Sequence, residues 1–160
     1  MNTPNTTVKP NDNSFYIAYY YFLSKSDSEM FYIYFTLENP NIRINCYPND
    51  NLLFLDDYQI IMSLNDFYNL GKSFRQCDNI NEVFESIKNL TSILGLNYSL
   101  NVNFSSNDIT LILKNRLLNG SIENMNIKFY KYPKNQLSQF DLLRRKYLEL
   151  KYKKILMFYD

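Results

Sequence analysis

The chain has 160 residues, 46% of them hydrophobic and 17% aromatic, with 3 Gly and 5 Pro; this fits one domain with an extension and excludes a low-complexity chain. It contains no histidine, which removes the commonest general base, the usual catalytic triads and most zinc sites. The formal net charge is +1, unevenly spread: residues 114–160 hold 11 Lys+Arg against 4 Asp+Glu (net +7), and residues 1–113 hold 6 against 12 (net −6).

Residues 1–14, "MNTPNTTVKPNDNS", are polar and lack the apolar stretch of a signal peptide, so they are expected to be a disordered tail. The run "FYIAYYYFL" is too short for a bilayer span, which takes about 20 residues. Both features point to an intracellular protein, in cytoplasm or nucleus, without a membrane partner. From residue 15 the pattern alternates with period two. Phe15 to Leu23 is apolar or aromatic on both faces, which predicts a strand buried on both sides. Phe31, Ile33, Phe35 and Leu37 form one face of a second strand, with Tyr32, Tyr34 and Thr36 opposite. Ile42, Ile44 and Cys46 mark a third. Tyr58, Ile60, Met62 and Leu64 mark a fourth, with room for a short piece at Leu52 to Leu55 before it.

The period then changes. Ser63 and Asp66 have capping-box spacing, and Phe67, Leu70 and Phe74 fall on one helical stripe. Gly71 inside that stripe costs about 1 kcal/mol against Ala, so the helix should be short and held by packing. Asn79 and Glu82 repeat the capping spacing; Ile80, Val83, Phe84, Ile87, Leu90 and Leu94 follow at helical period, and Gly95 supplies a left-handed stop. Three more strands follow: Tyr98, Leu100, Val102 and Phe104; Ile109, Leu111 and Leu113; Met125, Ile127 and Phe129. Between the last two, "NGSIEN" reads as a loop. Ser138 and Asp141 cap a final helix.

This order predicts a mainly β, α+β fold: an antiparallel β-sandwich or barrel of about seven strands, with an inserted helix pair plugging one end and a C-terminal helix. The head spans residues 15–134, and residues 135–160 form a basic helix that would begin a coiled-coil stalk.

No reaction chemistry is expected. The three glycines, Gly71, Gly95 and Gly120, stand singly and form no phosphate-cradling loop. No Ser or Cys has a base nearby in sequence, and no cofactor or metal site is indicated. Asp56 and Asp57 are adjacent carboxylates at a strand start, read as a solvated turn. Cys46 and Cys77 read as reduced thiols, one on a buried strand face and one in a helix–helix turn.

Two surface features remain. Lys128, Lys131, Lys134, Arg144, Arg145, Lys146, Lys151, Lys153 and Lys154 concentrate near the C-terminus, partly interleaved with aromatics. They suit either an acidic partner or nucleic acid, or a plain solvated face. In the final helix Phe140, Leu143, Tyr147, Leu150, Lys154 and Met157 are spaced 3, 4, 3, 4, 3, a heptad seam. That seam serves either self-association or docking on the chain's own sandwich.

The element order resembles the head-plus-stalk superfamily of end-joining repair scaffolds and the centriolar cartwheel protein. The matching pieces are "YQIIMSLNDFYNLGKSF", "INEVFESIKNL", "NYSLNVNFSSNDITLILK", "MNIKFYKY" and "LSQFDLLRRKYLELKYKKIL". The resemblance implies a non-enzymatic scaffold that dimerises by its stalk, assembles through head–head contacts and docks on a larger complex. Lys154 in the seam and the short stalk depart from that pattern. An OB-fold nucleic-acid-binding subunit is the rival reading, and an accessory subunit without activity of its own is a third.

Overall fold

The computed structural model of the chain describes residues 13–22, 28–48, 57–92, 97–103, 106, 108–132, 143–148 and 150–151. The fold is mainly β, with two antiparallel sheets and helices between and upon them. β1 (Ser14–Phe22), β2 (Ser28–Glu38), β3 (Asn41–Pro48) and β4 (Asp57–Ser63) form a meander. α1 (Leu64–Leu70), α2 (Lys72–Arg75) and α3 (Ile80–Leu90) follow, then β5 (Tyr98–Asn103), β6 (Asp108–Arg116) and β7 (Ile122–Lys128) form the second sheet. β8 (Tyr130–Tyr132) returns to the first sheet and pairs with β4, giving the order β1-β2-β3-β4-β8.

Strand alternation sorts the side chains as expected. Ile17, Phe31, Ile33, Phe35, Ile42, Ile44, Cys46, Tyr58 and Met62 from the first sheet meet Tyr98, Leu100, Ile109, Leu111, Leu113, Met125 and Ile127 from the second in one core. Phe67, Phe74, Ile80, Val83, Phe84 and Ile87 of the helices belong to the same cluster. The inserted helices are thus part of the core. Of the two expected forms, sandwich or barrel, the chain closes no barrel among the described residues: the two sheets stay separate.

The seven-strand expectation misses β8. After β7 the buried Phe129 turns the chain from one sheet to the other, and its N–H donates to the Ile109 carbonyl (3.1 Å). The "NGSIEN" loop is also shorter than expected. The chain reverses at Gly120, whose φ of +87° is in the region glycine favours, and β7 begins at Ile122. The first strand begins at Ser14, inside the segment read as tail. Leu52 to Leu55, Leu94, Gly95, Phe104 and the Ser138–Asp141 cap lie outside the described residues, as do residues 1–12 of the tail. α3 itself ends at Leu90, before Leu94. Thr91 Oγ1 donates to the Ile87 carbonyl (2.8 Å), which also accepts from the Thr91 N–H (3.0 Å), and Ser92 Oγ donates to the Asn89 carbonyl (2.8 Å), a group a longer helix would have paired.

Ser63 and Asp66 form the reciprocal capping box at α1. The predicted stripe through Phe67 and Phe74 is buried, but the helix breaks at Gly71. The cause lies in β7. Glu123 accepts from the backbone N–H of Lys72 (2.9 Å) and Ser73 (3.0 Å) and from Ser73 Oγ (2.5 Å), while Asn115 Nδ2 donates to Ser73 Oγ (2.9 Å). A Cβ on Gly71 would stand 2.8 Å from the Glu123 carboxyl carbon, so close approach, with an extended φ of 172°, is what requires glycine here.

The Ser73 hydroxyl is the main cause that holds the Glu123 carboxyl below its ordinary range; burial opposes it, and the Lys72 and Ser73 amides and the Lys72 charge add to the lowering. A carboxyl depressed on folding stabilises the fold above its unfolded value of about 4.3. That contribution is lost as pH falls through the folded value. Glu123→Gln is therefore expected to flatten the acid limb of the stability–pH profile below about pH 4.3. At neutral pH, Glu123→Ala should cost about 1 kcal/mol, as loss of a helix cap does. Urea unfolding across that pH range checks both; an unchanged acid limb in the Gln variant would remove Glu123 from the account.

Candidate functional site

The outer face of the first sheet is unusually rich in tyrosine. Alternation places Tyr16, Ala18 and Tyr20 of β1, Met30, Tyr32 and Tyr34 of β2, and Tyr47 of β3 on one surface, where Tyr32 and Tyr47 stack at 5.3 Å. A helix, α4, containing residues 143–148 and 150–151, lies on it. Its one buried apolar contact among the described residues is Leu148, 2% exposed. The rest of the docking among the described residues is cationic. The Arg144 guanidinium sits 4.0 Å above the Tyr34 ring, that of Arg145 4.1 Å above Tyr47, and Lys151 Nζ 5.3 Å from the Tyr16 centroid. These positions, i, i+1, i+4 and i+7, share one helix face. Each such pair contributes about 0.5–1 kcal/mol when exposed and about 2 when desolvated. The Tyr16 hydroxyl beside Lys151 holds its ammonium pKa above the ordinary value.

Arg145 also donates to the Asp57 carboxylate at the start of β4. This corrects the reading of Asp57 as solvated: it is 2% exposed and ion-paired, because the outer sheet face that carries it is roofed by α4. Asp56 lies outside the described residues.

The predicted basic set therefore divides. Arg144, Arg145 and Lys151 engage the tyrosine face, whereas Lys128, Lys131 and Lys146 are exposed. Lys134, Lys153 and Lys154 lie outside the described residues. The predicted seam divides from the docking face as well. Leu143, Tyr147 and Leu150 are 68%, 62% and 57% exposed, while Phe140 and Met157 lie outside the described residues. Docking on the sandwich thus uses a different stripe from the heptad seam.

Periodicity did not single out Leu118 and Ile122. Both are exposed where β6 turns into β7, with Leu118 fully so. The signal available was an apolar pair inside a turn-like stretch, "RLLNGSI".

Neither thiol is placed as a nucleophile. Cys46 and Cys77 are both buried and free. Burial, reinforced by the nearby Asp57 charge, pushes the Cys46 thiol far above its ordinary value. Among the described residues no three His, Cys, Asp or Glu side chains are grouped to hold a metal, and no helix is long and apolar enough to cross a membrane. What α4 leaves exposed among the described residues is the apolar ridge of Leu143, Tyr147 and Leu150, with Lys146 beside it. Comparison with protein-family models, curated proteins and solved structures finds no match to this chain.

Proposed function

We propose that the chain is a non-enzymatic scaffold that self-associates and docks on a larger assembly. The observation that carries this reading is the two-sided α4. One side is spent on the tyrosine face, and the other presents Leu143, Tyr147 and Leu150 to solvent in heptad spacing. A ridge of large apolar side chains is costly to leave wet, and two ridges side by side remove it from water at about 25 cal/mol per Å² of apolar surface. Leu118 and Ile122 offer a second contact, at a hairpin tip. Further support comes from the order of four strands, inserted helices and three strands, the order of the head-plus-stalk superfamily. The departures are β8 and a helix lying on the sheet.

Sedimentation equilibrium tests the proposal. Wild type is expected to be dimeric at high micromolar concentration, and Leu143→Asp with Leu150→Asp to be monomeric with an unchanged thermal melt. Leu118→Asp should leave the dimer and remove larger species. A wild type that stays monomeric at high micromolar concentration would overturn the self-association.

The nucleic-acid alternative has less behind it. Three of the cations it needs already cover tyrosines. Among the described residues the two separate sheets also form no closed five-stranded barrel of the OB-fold kind.

A further inference from the structure

The two sheets differ on their outer faces. α4 roofs the first. On the second, β7 turns Ile122, Asn124, Asn126 and Lys128 outward, and all four are exposed. β6 adds Lys114 and Arg116 to the same face, because Lys114 pairs with Asn124 and Arg116 with Ile122 in register.

Positive charge and apolar surface coincide at the hairpin end of this face. Lys114 and Arg116 project from the same side of β6, about 7 Å apart along the strand. Arg116 stands beside Ile122, which is 55% exposed, and the turn beyond carries the fully exposed Leu118. No carboxylate shares this end among the described residues. Glu123 lies on the opposite face of β7, where it caps α2, and Asp108 is at the other end of β6. Among the described residues Arg116 donates to the neutral Gly120 carbonyl at 3.5 Å, and neither cation joins an ion pair.

We infer that the outer face of the β6–β7 hairpin, centred on Lys114, Arg116 and Ile122, binds a segment of a partner protein that carries carboxylates around a large apolar residue. The chemistry of the face selects this occupant. Carboxylates neutralise Lys114 and Arg116 and accept from the Asn124 amide, while the apolar residue removes Ile122 from water. A nucleic acid would engage the cations, but the described residues of this face include no aromatic ring for a base to stack on, and Ile122 would stay wet. Two copies joined through this face would set cation against cation. The inference rests on the docking half of the proposed function, whose partner surface it names, and it does not involve the α4 ridge. Leu118 also serves the tip contact between copies, so the test leaves it intact.

The test is selection of a displayed library of random dodecapeptides on the full chain, immobilised sparsely so that copies do not meet. The enriched peptides are expected to carry Asp or Glu on both sides of Leu, Ile or Phe, and to shift the NMR signals of Lys114, Arg116, Ile122 and Asn124. Lys114→Glu with Arg116→Glu should weaken their binding by about tenfold or more with an unchanged thermal melt. Lys114→Gln with Arg116→Gln, which introduces no repulsion, should weaken it too, and decides the matter if the first variant folds poorly. Four results would overturn the inference: no enriched sequence, enriched sequences without acidic residues, equal binding by wild type and both variants, or tighter binding of an oligothymidylate at the same residues. Acidic peptides that shift another surface instead would remove this site and leave the docking half of the proposed function standing. A monomeric wild type in sedimentation would alter none of these results, so the two proposals fail separately.

Discussion

Phe84→Ala is expected to destabilise the fold by about 3–5 kcal/mol, the range for removing a buried aromatic. Phe84 is 1% exposed on α3 and meets Phe15 edge-to-face at 5.1 Å; Phe15 in turn stacks on Phe35 at 4.6 Å. The ring therefore joins the helix insertion to β1 and β2, and its loss leaves a cavity bounded by backbone that other elements hold in place. Ile87→Ala, one turn along and fully buried, should cost about 2–5 kcal/mol. Leu143→Ala, on the exposed ridge, should stay within about 0.5 kcal/mol. Urea unfolding of the three variants separates the cases. If Phe84→Ala stayed in the surface range, the helices would be a removable cover rather than core.

Much of the sandwich was legible because its determinants are local. The alternation of Phe31, Ile33 and Phe35 against Tyr32 and Tyr34 is set by the strand period, and both faces proved to be packed, on the core and under α4. The Ser63–Asp66 box acts within one helical turn. What escaped was decided at long range. Gly71 breaks its helix because Glu123, remote in sequence, caps the next one. Asp57 is buried because Arg145 reaches it from the far end of the chain. β8 is three residues long, too short for periodicity to register, and exists because Phe129 carries the chain between sheets.

The final helix shows a subtler limit. Two stripes lie side by side on it. By hydropathy the stripe with Leu143, Tyr147 and Leu150 is the one to bury, and the stripe with Arg144, Arg145 and Lys151 the one to leave in water. The sheet face is tyrosine, however, whose rings carry negative potential above their planes. Against such a face the cationic stripe is the complement, and Leu148 supplies the apolar anchor. The basic C-terminal half is thus partly a structural adhesive.

That adhesive has a weak point, and Arg145→Ala is expected to expose it at a cost of about 3 kcal/mol, the lower end for removing one partner of a buried ion pair. Arg145 does two things at once: it neutralises Asp57, whose side chain is 3% exposed, and it covers Tyr47. Without it the Asp57 carboxylate is left inside without this cation, or α4 lifts and lets water in. Arg145→Lys keeps the charge but loses the planar fork and the stacking, so it should cost about 1 kcal/mol. Asp57→Asn combined with Arg145→Ala removes the stranded charge; its cost should fall short of the summed single costs by about 1–3 kcal/mol. Urea unfolding gives the cycle, and limited proteolysis after Lys146 shows which route is taken. Faster cleavage in Arg145→Ala with an unchanged core transition means that α4 has lifted. Equal cleavage with a shifted transition means that it stays, over a buried charge. Additive single costs would show that Asp57 and Arg145 are not coupled and that other contacts, Leu148 and the tyrosine stacking among them, hold the helix.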